Sequence, residues 1–318
     1  MIQLRPTGWP LVPLSLLPVS SRGCLGGVRV SDEGSSPIVV PGPSGLKLAL
    51  VDVDDVKHHE ETVPELLLSL MREIERDSVL KHPIIVDEAS LVVLDGTHRV
   101  EALRALNCRW AAACLVDYKD PSIRLGCWYR TLRGLSSLRA LVDRLSHEFG
   151  FVLKERQSLR PDEVGVPPIA LALTDGREFI SLIAEFDDKR EAWELVELLE
   201  TALRKIGIEV EFEDEEDAMR KLSAGEVDAV LMTPKVLKQD VLSIALSGQV
   251  FPHKTTRHII PNRPLFLNVP LGLLRAGGPR QALEEAFREL VASKRARCLP
   301  PGSVVDGRRY EEPIIILE

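Results

Sequence analysis

The sequence lacks several features that mark whole classes of protein. It contains no apolar run of about 18 residues or more, so we expect no membrane-spanning helix. Its five cysteines include no pair at C-x-x-C spacing, which argues against a zinc or redox site and is typical of reduced thiols in a cytoplasmic protein. Asn and Gln are scarce, whereas charged residues make up 28% of the chain, a composition often seen in thermophile proteins.

An excess of positive charge is also missing, because the formal net charge is -8. Nucleic-acid binding depends on Lys and Arg that neutralise phosphates, so we do not expect nucleic acid as the main partner. A local basic pocket for a nucleotide is compatible with this balance. The 318 residues and the hydrophobic fraction of 45% are enough for two ordinary domains with sizeable cores.

Regular hydrophobic patterning begins near residue 46. Residues 1–45 are rich in Pro, Gly and Ser, and we predict that they form a poorly structured extension. Strand and helix patterns then follow one another to the end of the chain, with a proline-flanked linker or crossover at 155–166. We therefore predict an α/β (α+β) protein with one domain at 46–135 and a second α/β domain at 136–318.

A candidate anion site lies between a predicted strand and a predicted helix. Gly96 lets the backbone turn sharply, and the amides that follow, from Thr97 onward, belong to a helix N-terminus that favours anions. His98 and Arg99 add donors, while Asp95 could orient a donor or hold Mg²⁺. An ordinary turn in which Asp95 caps the helix explains the same residues, and the spacing alone leaves the two interpretations about even.

A second candidate segment contains His59, Glu60 and Glu61 and precedes the first predicted helix. A kinase that acts on an alcohol benefits from a carboxylate that accepts the hydroxyl proton. Adjacent side chains do not share a face, so only one glutamate is expected to point into a site. Charged residues before a helix are, however, commonly solvated or complement the helix dipole.

A third candidate segment follows Phe251 and is locally basic in an acidic protein. Its cations and hydroxyls have the chemistry of a phosphate or carboxylate clamp, although a solvated basic loop is the common alternative. The residues concerned are Lys254, Thr255, Thr256, Arg257 and His258.

These motifs together resemble a known family. The runs Pro83–Val86 and Val92–Arg99, followed by Ala102 and Leu103, resemble the core of the ParB/sulfiredoxin-like superfamily. The D-G-x-H-R form resembles the free serine kinases, which phosphorylate L-serine to O-phospho-L-serine with ADP or ATP. The sulfiredoxin cysteine is missing from 95–99, and no arginine pair or helix-turn-helix of the chromosome-partitioning ParB proteins is visible.

The resemblance spans roughly residues 46–270 and implies roles for individual residues. It implies that Glu60, next to His59, is the catalytic base, with Glu61 as the alternative register. It implies that Trp128 shapes the serine pocket, and that the segments 95–99 and 254–258 face each other across a cleft and bind nucleotide phosphates.

The resemblance therefore implies a cytoplasmic kinase of serine and cysteine metabolism whose partners are free L-serine, ADP or ATP, and Mg²⁺. The alternative is a ParB-like nucleotide-dependent DNA-binding or regulatory protein. The donor, the preference for serine over other hydroxylated metabolites and the oligomeric state stay open from the sequence.

Overall fold

The computed structural model describes residues 37–318. The helices in this range are α1 Pro64–Asp77, α2 Thr97–Ala105, α3 Leu138–Phe149, α4 Lys189–Lys205, α5 Glu215–Ser223, α6 Lys238–Leu246, α7 Leu271–Arg275 and α8 Arg280–Ala292. The strands up to α4 are β1 Ile38–Pro41, β2 Lys47–Asp52, β3 Val79–Leu80, β4 Ile84–Asp87, β5 Val93–Asp95, β6 Trp110–Val116, β7 Arg124–Arg133, β8 Leu153–Arg156, β9 Ile169–Thr174 and β10 Phe179–Ile183. The later strands are β11 Glu209–Asp214, β12 Ala229–Met232, β13 Thr256–Ile259, β14 Arg263–Leu265, β15 Val269–Pro270, β16 Ala296–Leu299, β17 Val304–Val305, β18 Arg308–Arg309 and β19 Ile314–Leu317.

The first sheet has the strand order β1-β2-β6-β4-β5, and only its β4–β6 pair is parallel. Four consecutive residues of β2, Leu48 to Val51, are fully buried, which is the pattern of a strand covered on both faces. The helices α2, α7 and α8 pack against this sheet, and α1 packs against α2. Pro64 occupies the first turn of α1, where its missing N–H costs no helical hydrogen bond.

The second sheet is antiparallel and has the order β11-β7-β12-β9-β10-β8, with β13 also paired to β7. The sequence pattern between 209 and 232 predicts a strand, a helix and a strand in that order, and these are present as β11, α5 and β12. Its two strands are not neighbours, because β7 lies between them. The ten-residue strand β7 therefore joins three partners, and its first half brings β13 to the edge of the site described below.

A third sheet, β14-β19-β16, covers a small second core formed by Leu265, Tyr310, Ile314 and Ile316. Two further strand pairs are β15 with β3 and β17 with β18. The pairing of β15 with β3 and of β14 with β19 holds the last part of the chain close to the turn that begins α2.

The predicted mixed α/β architecture is confirmed. Within the predicted poorly structured segment 1–45, residues 1–36 lie outside the described range, and Ile38–Pro41 forms a strand paired with β2. The basic segment predicted as a loop is a strand from Thr256 onward. The described residues 37–318 belong to one compact unit, and the division into domains at 135/136 stays a prediction. No helix among the described residues is long and apolar enough to cross a membrane.

Candidate active site

A cavity of about 740 Å³ is lined by residues from both large sheets and from the C-terminal segment. Among the residues singled out in the sequence, it brings together His59, Glu60, Glu61, Asp95, Gly96, Thr97, His98, Arg99, Trp128, Lys254, Thr256, Arg257 and His258. Thr255 is the exception: it is buried, and its hydroxyl donates to the Pro252 carbonyl at 2.8 Å.

The turn into α2 requires glycine at position 96. Gly96 is the N-cap of the helix with φ +106°, a backbone conformation that L side chains rarely adopt. A Cβ atom there would lie 2.7 Å from Arg99 Nε and 2.9 Å from Ile84 Cγ2. No side chain caps this helix, so the interpretation in which Asp95 is the cap is wrong. The first amides of α2 are therefore left as donors beside the cavity.

Asp95 is held by two guanidinium groups. Its Oδ2 accepts from Arg99 Nη2 at 2.7 Å and from Arg263 Nη1 at 2.6 Å. Burial opposes ionisation of this carboxyl, but the charges of Arg99 and Arg263 outweigh burial and keep its pKa well below the usual range. Asp95 is an anionic anchor for two arginines.

Both arginines also bind other groups of the protein. Arg99 also donates to the carbonyls of His82 and Pro83, at 3.3 and 2.9 Å. Arg263 is only 2% exposed and also donates to Glu312 and to the His258 carbonyl. Arg99 therefore organises the turn, although the sequence suggested it as a phosphate ligand.

Glu60 is fixed by the segment 251–256. The main chain on either side of it pairs with Phe251, and its Oε1 accepts from both the amide and the hydroxyl of Thr256 at 2.5 Å. Its Oε2 has no hydrogen-bond partner among the described residues, and the residue lines the cavity. Glu61 also lines the cavity but is exposed and has no such anchor. Of the two glutamates, Glu60 is therefore the one whose carboxylate is held in place at the cavity.

Two buried histidines lie behind this carboxylate. His59 Nε2 is 2.8 Å from the Thr256 hydroxyl, and His258 Nε2 is 2.8 Å from the Tyr118 hydroxyl. Burial lowers the pKa of both rings, which contact each other edge to face at 5.4 Å. Both imidazoles are consequently neutral, and they support Thr256 and β13 more directly than they face a substrate.

The remaining predicted ligands differ in whether another group of the protein already binds them. His98 Nε2 accepts from the Val63 amide at 3.0 Å, which fixes the start of α1. Arg257 is paired with Glu311. Lys254 has no carboxylate within ion-pair distance among the described residues, and its ammonium lies 4.3 Å from the Trp128 ring centroid. Burial lowers the pKa of Lys254, and the nearby Glu60 charge opposes that shift.

Several residues of the cavity wall were missed in the sequence. They are His82, Glu213, Asp214, Glu216, Asp217, Arg263, Arg308, Arg309, Tyr310, Glu311 and Glu312. The buried Arg263 is separated from Asp95 by 168 positions, so no local pattern connects them. For the missed residues at 308–312, the sequence does contain one local signal, the Asp306-Gly307 dipeptide, which is typical of a tight hairpin turn.

The predicted metal ligand does not fit a protein-built magnesium site. The described residues contain no group of three or more His, Cys, Asp or Glu side chains that could hold a metal ion. The Oδ2 atom of Asp95 already accepts from two guanidinium groups. Asp95 as a metal ligand therefore gains no support from this geometry.

Comparison with solved structures identifies the fold. The chain superposes on a free serine kinase in complex with AMP with a TM-score of 0.59 and 24% sequence identity. The match covers 71% of this chain and 93% of that one. The architecture is therefore that of the free serine kinases, as the motifs implied.

Sequence relatives agree with this assignment, although no family model matches the chain. An ATP-dependent L-serine kinase of Staphylothermus marinus is 29% identical over 239 residues, which cover 71% of this chain and 90% of that protein. The ADP-dependent L-serine kinase SerK of Thermococcus kodakarensis is 25% identical over 231 residues, covering 70% and 90% respectively. The resemblance read from the motifs is confirmed: this chain is a homologue of proteins named L-serine kinases.

Proposed function

We propose that the protein transfers a phosphoryl group from ADP or ATP to the hydroxyl of free L-serine, giving O-phospho-L-serine. One observation carries the proposal: a carboxylate with an unengaged oxygen, Glu60, shares a cavity with an unpaired ammonium, Lys254, and the uncapped N-terminus of α2. A base and a phosphate-binding surface are the two parts that phosphoryl transfer to an alcohol needs. The relatives that carry the name L-serine kinase support the choice of acceptor.

Glu60 acts as the general base in this proposal. Thr256 holds Oε1 from two directions, so Oε2 is left to accept the proton of the substrate hydroxyl as the bond to phosphorus forms. Because the main chain around Glu60 is paired with Phe251, the carboxylate does not have to be ordered when substrate binds.

The phosphates lie against the first amides of α2, at Thr97 and His98, and against Lys254. This arrangement stabilises negative charge with fixed donors in a partly enclosed site. Mg²⁺ is expected to enter with the nucleotide, where it would neutralise phosphate charge, and its main ligands would be phosphate oxygens and water. Trp128 forms a wall of the site, since its indole N–H donates to the Thr256 carbonyl and its ring contacts Lys254.

The proposal places the reaction in the cytoplasm, where ADP and ATP are available. The described cysteines, Cys108, Cys114, Cys127 and Cys298, are free thiols, as expected for that compartment.

The test is incubation with L-serine, Mg²⁺ and either ADP or ATP, with phosphoserine and the nucleotide product measured by phosphorus NMR. Glu60→Gln keeps the shape of the side chain but removes the base, so we expect phosphoserine formation to fall by at least about 100-fold. Glu61→Gln is the matched control and should stay within about threefold. Absence of phosphoserine with both donors overturns the proposal, and near-normal turnover by Glu60→Gln overturns the choice of base.

A further inference from the structure

A small hairpin near the end of the chain reaches the cavity. Strands β17 and β18 pair Val304 with Arg309 and Val305 with Arg308. Asp306 and Gly307 form the two-residue turn, with φ values of +49° and +76°. Positive φ at both positions is the geometry of the tight turn that matches strand twist, so the Asp-Gly pair fixes the register of the hairpin.

The residues that follow the hairpin attach it to the cavity wall. Glu311 pairs with Arg257, and Glu312 accepts from Arg263 Nε at 3.0 Å in a pair in which both side chains are almost fully buried. Tyr310 is buried in the second core. The hairpin therefore has a rigid base, and the two glutamates neutralise two of the cations that line the cavity.

Six Lys and Arg side chains line the cavity, and their partners divide them into two groups. Arg99, Arg257 and Arg263 are each held by a carboxylate. Lys254, Arg308 and Arg309 have no carboxylate within ion-pair distance in the part of the chain that the structure describes. An anionic ligand would find its charge partners in the second group.

Arg308 is the better placed of the two hairpin arginines. Its guanidinium lies 4.7 Å from the centroid of the anchored Tyr310 ring, a cation–π contact that orients the group without neutralising it. Its charge lowers the pKa of both Asp95 and Lys254, in keeping with a position near the proposed phosphate site, and all three residues line the same cavity.

We infer that Arg308 binds the donor nucleotide's phosphates beyond the α-phosphate. The inference rests on the proposed function, because the phosphoryl group to be transferred must lie beside Glu60, and Lys254 and Arg308 are the open cations on that side. The hairpin would thus favour di- and triphosphates over monophosphates. Arg308 belongs to the C-terminal hairpin β17–β18, so this contribution comes from the C-terminal segment.

The test compares AMP, ADP and ATP binding by isothermal titration calorimetry, in the presence of Mg²⁺. In Arg308→Gln we expect ADP and ATP affinity to fall about tenfold and AMP affinity to change less than about twofold, since AMP lacks the contacted phosphate. Arg308→Lys should recover part of the loss. The charge-matched control is Arg297→Gln, on exposed β16 and paired with Glu318, which should bind all three nucleotides as the wild type does.

Equal losses for AMP and ADP, or unchanged ADP binding in Arg308→Gln, would overturn the inference. Because Arg308 is exposed and forms no ion pair with a carboxylate among the described residues, the variant should unfold at the wild-type temperature, and a large drop in that temperature also counts against a binding role. Wild-type protein that binds ADP without forming phosphoserine overturns the proposed function but leaves the binding test of Arg308 intact. Wild-type protein that binds none of the three nucleotides overturns both.

Discussion

The turn at 95–99 and the segment at 254–258 both carry cations and both line the cavity, yet they use these cations differently. At the turn, Arg99 is held by Asp95 and by two carbonyls. In the later segment, Arg257 is neutralised by Glu311, whereas Lys254 lies over the Trp128 ring and has no carboxylate within ion-pair distance among the described residues. A cation in a cavity is therefore available to an anionic ligand only where no carboxylate of the protein already pairs with it.

The strongest test of this comparison removes the anchor of the turn. In Asp95→Asn, the buried Arg263 loses one of its two carboxylates, and we expect a loss of about 3 kcal/mol in the free energy of unfolding, measured in urea at pH 7. Asp54→Asn, at an exposed carboxylate, should change it by less than about 0.5 kcal/mol. A loss as small as that of the control would mean that the turn does not depend on this ion pair.

The same variant has a defined pH dependence. The folded-state pKa of Asp95 is depressed, so its contribution to stability is fully present above the unfolded-state pKa of about 3.9 and is lost as the pH falls below it towards the folded-state pKa. The stability difference between wild type and Asp95→Asn should therefore be constant from pH 5 to 7 and shrink in more acidic buffer.

The second test removes the charge of Lys254, which has no carboxylate partner among the described residues. Lys254→Met keeps much of the side-chain volume over Trp128 but removes the ammonium, and we expect kcat/KM for the nucleotide to fall about 100-fold. Arg257→Gln, which loses a cation that is already paired, should lower kcat/KM less than about fivefold. Equal losses in the two variants would contradict the distinction between engaged and open cations.

The smallest expected effect concerns the group that holds the base. Thr256→Val removes the hydroxyl that donates to Glu60 but keeps the backbone amide, so we expect kcat to fall about tenfold with KM for the nucleotide unchanged. Thr256→Ser restores the hydroxyl and should recover most of kcat. A change confined to KM would show that Thr256 acts on binding rather than on the orientation of Glu60.

Periodic elements could be read from the sequence with good accuracy. Strand β12 and helix α1 lie where their apolar spacing predicts, because each contributes a regular face to the core. Strand β7 was missed because Arg130 and Thr131 interrupt its apolar pattern, although both are buried. Arg130 is tolerated there because Glu200 and backbone carbonyls accept its donors, and such partners are fixed only by the tertiary fold.

The sequence predicted part of the cavity wall, and the roles of those residues stay predictions. The motifs at 59–60, 95–99 and 254–258 do meet in one cavity. The sequence did not reveal which cations were already paired, since Arg263, Glu311 and Glu312 lie far along the chain from the groups they affect. Ion pairs between distant positions leave no periodicity or spacing that a single sequence can display.

The ion pairs that link Asp95, Arg263 and Glu312 also constrain when, during synthesis, the cavity can reach its final form. During synthesis, the turn at Asp95 leaves the ribosome long before Arg263, and Glu312 follows 49 positions after Arg263. A nascent chain can form the first sheet early, but it cannot balance the charges of the cavity until Glu312 has been released. Competence to bind nucleotide should therefore arise only after Glu312 has left the ribosome.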